Sequence, residues 1–284
     1  MPGPGGRFQI RRPHGRAGHP ADGSLALGST RRPAPRPPAP RLLIRLWRGL
    51  ARGVLLPLVF VAVFHVGIDL ELVGVWPRGS TTTAPWVWAA RLIAGSFVFL
   101  AGLSLWLAHG HGIRWRGFWR RFALLVAAAA AVSVATYIAV PGAWVRYGIL
   151  HSIAISSLAG LAFLRLPWAV TAATALGIFA VGPGLVVSAF DGPAWLWLGL
   201  GTQVPFMMDY EPFIPWVAPL LLGIAAGRLG TRCGIWDRLS AWPSSPPRAV
   251  RWLAWPGQHS LLVYLLHQPI LLGLILGGLW LLRP

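Results

Sequence analysis

Long apolar runs recur through the chain and restrict what it can fold into. From residue 53 to residue 282, stretches dominated by Val, Leu, Ala, Ile and Phe return about every 30 residues, and a helix of about 20 such residues crosses the hydrocarbon core of a bilayer. The chain is 55% hydrophobic and only 11% charged. The sequence therefore predicts an all-α, polytopic bundle of transmembrane helices.

The runs predict about seven spans, and the arginines predict their direction. The predicted spans cover residues 53–73, 86–108, 122–140, 147–164, 167–189, 216–229 and 261–282. All 25 basic residues are arginine, and most fall in the N-terminal segment or in alternate loops. Cytoplasmic loops collect basic residues, so we predict an N-terminus inside and a C-terminus outside. Topology accounts for the +18 charge, and no nucleic-acid function is expected.

The two ends of the chain differ in composition. Residues 1–40 are rich in Pro and Arg and have no apolar periodicity, which predicts a disordered cytoplasmic tail. Residues 41–284 form the predicted transmembrane domain. The pair His109 and His111 lies between spans without acidic or cysteine neighbours, so we interpret it as part of a solvated cytoplasmic loop and expect no metal site.

Two ionisable residues interrupt the first span. His65 and Asp69 are spaced i, i+4, which puts them on one helix face and predicts a contact between imidazole and carboxylate. Such groups cost roughly 2.5–3.5 kcal/mol each near the centre of a span, so they are retained where a partner or a polar cavity offsets that cost. His65 is therefore a candidate for chemistry, with a hydrogen-bonded packing role as the alternative.

A second polar set is predicted near the outer membrane face. Arg91 and His151 lie near the outer ends of spans two and four, and Asp209 and Glu211 end a Trp- and Pro-rich loop over residues 190–215. All of them are expected to reach one outward-facing pocket. The alternatives are structural: Arg91 as a counter-ion of Asp69 or Glu71, and His151 as a solvated interfacial residue.

The last span carries a polar stripe on an otherwise apolar helix. Its members follow i, i+4, i+7 and i+8 spacing: Ser260, Tyr264, His267 and Gln268. This places His267 near mid-membrane, where it is predicted to share a site with His65. Gln268 could instead satisfy a backbone kink at the following proline. Gly273 and Gly277 form a small-xxx-small pair, a weak indication of helix packing or of a homodimer.

Four segments together give the chain a family resemblance. They are RGLARGVLLPLVFVAVFHVGIDL at 48–70, YGILHSIAISSLAGLAF at 147–163, MDYEPFIPWVAPLLLGIAAG at 208–227 and QHSLLVYLLHQPILLG at 258–273. In order and spacing they resemble bacterial members of the heparan-alpha-glucosaminide N-acetyltransferase-like catalytic-domain family. The resemblance implies a multi-pass acyltransferase of the bacterial cytoplasmic membrane. It would pass an acetyl group from cytoplasmic acetyl-CoA to an amino sugar or other glycan on the outer side.

This reading gives each polar group a hypothetical role. Histidine suits acyl transfer because its unperturbed pKa of about 6.5 lies near neutrality, so the catalytic candidates are His65, Asp69 and His267. The acceptor-binding candidates are Arg91, His151, Asp209, Glu211, Tyr264 and Gln268. Loop arginines are candidates for the CoA phosphates, or else topology anchors: Arg114, Arg116, Arg120 and Arg121.

Two other classes of function fit parts of the sequence. A transporter or flippase of an envelope precursor would use the same polar interior as a passage, although no internal repeat typical of transporters is evident. A non-catalytic membrane scaffold would not need the polar stripe in the last span. Transfer from labelled acetyl-CoA distinguishes the enzyme from both.

Overall fold

Helices account for nearly all regular structure in the residues that the computed structural model describes, 57–240 and 255–282. Among these residues no β-strand occurs. Apart from short 3-10 turns and a single helical turn at 255–258, the helices are α1 (57–72), α2 (Ala84–His109), α3 (Trp115–Ala139), α4 (Ile149–Phe163), α5 (Trp168–Val181), α6 (Phe213–Arg232), α7 (Ile235–Ser240) and α8 (Ser260–Leu281). The predicted helical class is confirmed. The predicted tail at 1–40 and the arginines from Arg41 to Arg52 lie outside the described residues.

Four of these helices are long and apolar enough to cross a membrane: α2, α3, α6 and α8. Helices α4 and α5 have 15 and 14 residues. At 1.5 Å per residue, each is only about 20 Å long, short of the ~30 Å hydrocarbon core. Helix α1 coincides with the first predicted span, but only its part from residue 57 is described. Seven spans and their direction remain a prediction.

Two helices differ in extent from the predicted spans, each for a local reason. Helix α3 begins at Trp115 rather than at residue 122, because arginine has a high helix propensity and extends the helix ahead of the apolar run. Arg116, Arg120 and Arg121 are thus helical rather than in a loop. Helix α5 ends at Val181 rather than at 189. The sequence Gly182-Pro183-Gly184 follows, and proline cannot donate the next helical hydrogen bond.

The core is centred on α2 and α6, whose backbones touch. A Cβ atom added to Gly102 would lie 2.0 Å from the carbonyl oxygen of Leu220, and one added to Gly223 would lie 2.0 Å from that of Phe99. Both distances are far below van der Waals contact, so only glycine allows this approach. Leu220 and Val98 are completely buried beside it.

Helix α8 contrasts with this core because it buries no residue completely. Its exposed side chains are large and apolar, including Leu262, Leu266, Ile270 and Leu274. Such a surface is stable against lipid and costly against water. The polar stripe of α8 lies among partly buried positions on its other side.

The segment between α5 and α6 is ordered by hydrogen bonds rather than by long helices. Backbone bonds join Val187 to Leu200 and Phe213 to Trp197. Its last part runs beside the entry to α4, where the N–H of Met208 donates to the carbonyl of Ala143 and Tyr147 pairs with Tyr210 in an isolated bridge. The segment therefore covers the N-terminus of α4.

Candidate functional site

Two histidines from opposite ends of the sequence meet at the contact of α1 with α8. Nδ1 of His65 lies 3.4 Å from Nε2 of His267, and the two ring centroids are 4.6 Å apart at an interplanar angle of 81°. Both rings are half-buried. The predicted approach of His65 and His267 is confirmed, and their chemical role stays a prediction.

The hydrogen bonds assign a tautomer to each ring. Nδ1 of His65 lies 2.9 Å from the carbonyl oxygen of Val61, and Nδ1 of His267 bonds the carbonyl oxygen of Tyr264. Carbonyl oxygens only accept, so both rings carry a proton on Nδ1 when neutral. His267 then accepts through Nε2 from His65. Nε2 of His65 keeps a lone pair and has no hydrogen-bond partner among the described residues.

A carboxylate and an amide form the next contact along the same two helices. Nε2 of Gln268 donates to Oδ1 of Asp69 over 2.6 Å, and Asp69 is completely buried. The other oxygens of this pair, Oδ2 of Asp69 and Oε1 of Gln268, are buried without a partner in the described part of the chain. The pair therefore has two hydrogen-bond acceptors to spare.

The predicted hydrogen bond from His65 to Asp69 is wrong. Helical side chains lean toward the N-terminus, so the ring of His65 reaches back to the carbonyl four residues earlier. Asp69, one turn later, is engaged by Gln268 instead. Its charge acts electrostatically on His267. The carboxylate therefore influences the histidine pair through His267 rather than through a hydrogen bond to His65.

Tyr264 connects the histidine pair with the acidic end of the loop before α6. Its ring centroid is 5.6 Å from that of His267, and the carboxyl groups of Asp209 and Glu211 lie within electrostatic range of its hydroxyl. Burial, reinforced by the Asp209 carboxylate, raises the pKa of Glu211 to about 9, despite the opposing effects of Arg91 and of a hydrogen bond with Trp216. Glu211 is thus neutral at pH 7.

Arg91 does not lie where a counter-ion of Asp69 or Glu71 would lie. It is exposed and lies over the ring of Trp88, with Glu211 as its electrostatic neighbour. The carboxylate of Glu71 instead accepts from Gly79 and Thr81. The interpretation of Arg91 as a counter-ion of Asp69 or Glu71 is therefore wrong. Trp216, which the sequence reasoning missed, stands five residues after Glu211 in the first turns of α6.

Asp209 and His151 both bind the N-terminus of α4. Oδ2 of Asp209 accepts from the N–H of Ile149 over 2.9 Å, and burial raises the pKa of Asp209 to about 6 in spite of this bond. The N–H of Gly148 donates to Nδ1 of His151. Nε2 of His151 therefore carries the proton and faces Oγ of Ser133 at 3.4 Å. Both side chains satisfy backbone groups, and a role in acceptor binding remains a prediction.

A cavity of about 120 Å³ lies between α2, α3, α4 and α8. It is mainly apolar, and its polar lining comes from Ser104, Arg121, Ser260 and Tyr264. Arg121 is thereby separated from the other candidate phosphate ligands. Arg116 and Arg120 are exposed, and Arg114 donates to the carbonyl of Ala108.

The two histidines at the C-terminal end of α2 differ from each other. His109 is buried, and its Nδ1 accepts from the N–H of Arg114. It ends the helix and orders the turn into α3, so its assignment to a solvated loop is wrong. His111 is exposed.

The apolar helices and the polar cluster between them define an integral membrane protein. The family model described as heparan-alpha-glucosaminide N-acetyltransferase, catalytic, matches residues 45–269. This is most of the chain, and the chain belongs to that family of membrane acetyltransferases. No curated protein and no solved structure matches it.

Proposed function

We propose that this protein transfers an acetyl group from cytoplasmic acetyl-CoA to an amino sugar or another envelope glycan on the outer side of a bacterial cytoplasmic membrane. The observation that carries the proposal is the contact of His65 with His267 at the junction of α1 and α8. The chain that makes this contact belongs to a family of acetyltransferases.

The free Nε2 of His65 supplies the base or the nucleophile. As a base, it takes the proton of the acceptor amine while the amine nitrogen attacks the thioester carbonyl, the carbon–sulfur bond breaks and the thiolate leaves. As a nucleophile, Nε2 attacks the thioester carbonyl and the CoA thiolate leaves; the acceptor amine then attacks the acetyl-imidazole, the bond from Nε2 to the acetyl carbon breaks, and the amine proton passes to the thiolate. In either case His267 accepts the Nδ1 proton of His65 as a hydrogen bond and stabilises the positive ring, with Asp69 nearby.

The spare acceptors beside the histidines favour a ligand rich in donors. Oδ2 of Asp69 and Oε1 of Gln268 are buried and unpaired in the described residues, and each such oxygen costs about 1–3 kcal/mol. The amine and hydroxyl groups of a sugar could pair both. This supports an amino sugar over an acceptor without N–H or O–H groups.

The cavity next to Tyr264 is the proposed path for the donor. Its volume of about 120 Å³ holds only a narrow part of CoA, so we assign it to the arm that carries the thioester. Arg121 lines this cavity and is the proposed phosphate contact. Arg121→Gln should raise the KM for acetyl-CoA with a smaller effect on kcat, whereas Arg120→Gln, at an exposed neighbouring position, should change neither.

Transfer of label from [¹⁴C]acetyl-CoA tests the function directly. Purified protein in liposomes, offered glucosamine and short amino-sugar oligomers, should release labelled N-acetyl products, and His65→Ala should release at least about 10²-fold less. Glycan translocation without acetyl transfer would replace the proposal with the flippase alternative.

The direction of transfer depends on the proposed topology. Reporter fusions after residues 80, 115, 205 and 240 should report outside, inside, outside and inside. An outside signal from the fusion at 115 or 240 would contradict an N-terminus inside with seven spans.

A further inference from the structure

A second cavity, of about 240 Å³, is formed by the segment between α5 and α6 together with the entry to α4. Its walls are mostly apolar or backbone, with Phe190, Pro193 and Leu196 among them. Its polar side chains are Arg146, Asp191, Gln203 and Tyr210. The volume lies below the range of about 300–1,000 Å³ typical of sites for drug-sized ligands, so a small group fits.

The cation of this cavity makes no salt bridge in the described part of the chain. Nη1 of Arg146 is buried without a hydrogen-bond partner, and the guanidinium lies 5.2 Å from the centroid of the Trp144 ring. A cation–π contact attracts the guanidinium without neutralising it, so this partly buried cation would gain from an anion within hydrogen-bond distance.

The acid in the same cavity is already occupied. Oδ1 of Asp191 accepts the backbone N–H groups of Thr202 and Gln203, and Oδ2 accepts the hydroxyl of Thr202. The phenol of Tyr210 donates to the carbonyl of Leu196. These bonds hold the cavity wall together, and Arg146 is left as the charged group with capacity for a ligand.

The residues around Tyr210, which pairs with Tyr147 in an isolated bridge, reach both this cavity and the neighbourhood of α8. Successive side chains of an extended segment point to opposite sides. Tyr210 accordingly lines the cavity, whereas Asp209 and Glu211 on either side of it act on Tyr264 of α8. One short segment therefore presents an acidic face to the transfer site and an aromatic face to Arg146.

We propose that the Arg146 cavity binds an anionic group, a carboxylate or a phosphate, on a ligand no larger than a monosaccharide. The guanidinium provides the paired donors that such oxygens accept, and Gln203 provides an amide. The anion can belong to a soluble sugar derivative or to a lipid headgroup. The binding site stands independently of the transfer reaction, because no residue of the histidine pair contributes to it.

Thermal unfolding of the full-length protein in nanodiscs tests this without any acetyl donor. Inorganic phosphate and glucuronate are each added at concentrations that rise in tenfold steps, with sodium chloride of equal ionic strength as the reference. Both anions should raise the Tm of the parent protein in neutral-lipid nanodiscs. Arg146→Gln should abolish the increase. The control Arg78→Gln removes an exposed arginine from a loop predicted to lie on the same side, and it should keep the increase.

The arms of the experiment separate the two sources of the anion. A rise in Tm with soluble phosphate or glucuronate identifies a soluble ligand, and a rise confined to nanodiscs containing phosphatidylglycerol identifies a headgroup. Should Arg146→Gln fail to fold, Val204→Trp fills the cavity from an exposed valine and should reduce the response at least tenfold in apparent affinity. Equal responses of parent and Val204→Trp, or no response of the parent to any anion, would overturn the site.

Discussion

His65 and His151 differ in how many of their ring nitrogens have hydrogen-bond partners. Both rings are half-buried. His151 accepts from the N–H of Gly148 and faces Ser133, whose hydroxyl donates onward to the carbonyl of Val145. His65 binds Val61 and His267 through the same nitrogen, Nδ1. Of these two rings, that of His65 keeps one nitrogen without a partner among the described residues.

The same contrast separates the two buried acids. Asp209 spends its carboxylate on the first N–H of α4, where the helix dipole also favours an anion. Asp69 has one oxygen on Gln268 and the other without a partner in the described residues. Asp209 thus stabilises the start of α4, whereas the unpaired oxygen of Asp69 is available to a ligand of the proposed transfer site.

Separate alanine substitutions of His65 and His151 should give the largest difference in effect between a histidine proposed for catalysis and one that stabilises the fold. His65→Ala should lower acetyl transfer by about 10²–10⁴-fold, the usual contribution of a general base, while the folded protein remains in the membrane. His151→Ala should instead reduce protein yield and Tm, with turnover per folded molecule changed far less. The exposed His111→Ala serves as control, and a fully active His65→Ala would return that residue to a packing role.

The double variant His65→Ala/His267→Ala tests whether the two histidines act as one catalytic unit. Residues that act together lose their effects together, so the double loss should be close to that of His65→Ala alone. The measurement is kcat/KM for all four members of the cycle. A double loss equal to the product of the two single losses would give the rings separate functions.

The charge of Asp69 should matter less than the ring of His65. Asp69→Asn keeps a group that can bond Gln268 but removes the negative charge that stabilises positive charge developing on the histidine pair. We expect transfer to fall about tenfold, which corresponds to about 1.4 kcal/mol in the barrier. Asp191→Asn, in the loop cavity, is the matched control with no expected effect on kcat.

The smallest expected effect concerns the pH dependence of stability. The pKa of Glu211 rises from 4.5 to about 9 on folding, so the folded state binds more protons than the unfolded state between these values. Its contribution to stability therefore declines as pH rises through that window. Tm should fall between pH 7 and pH 9 in the parent and fall less in Glu211→Gln. Asp191, whose pKa the bond from Thr202 lowers, is ionised throughout, so Asp191→Asn should keep the parental slope.

Periodicity predicted the helix faces well and the partners poorly. The i, i+4, i+7 and i+8 stripe of α8 led to the meeting of His65 with His267, because a polar face must turn away from lipid. The spacing of His65 and Asp69 gave the correct face but the wrong bond, since Gln268 from a distant helix competes for the carboxylate. Nothing in the local sequence distinguishes Arg121 from Arg120. Their separation follows from where α3 begins and which neighbours its faces meet.

The close contact between the backbones of α2 and α6 affects how a loss of activity in a variant of this protein should be interpreted. Adding one methyl group at Gly102 or Gly223 forces two helices apart, at a cost of about 1–3 kcal/mol. Both positions lie outside the polar cluster, and yet their alanine variants would look inactive in a cell-based assay. Loss of function at these glycines is a defect of assembly and abundance, and only activity normalised to the amount of folded protein separates it from a defect of chemistry.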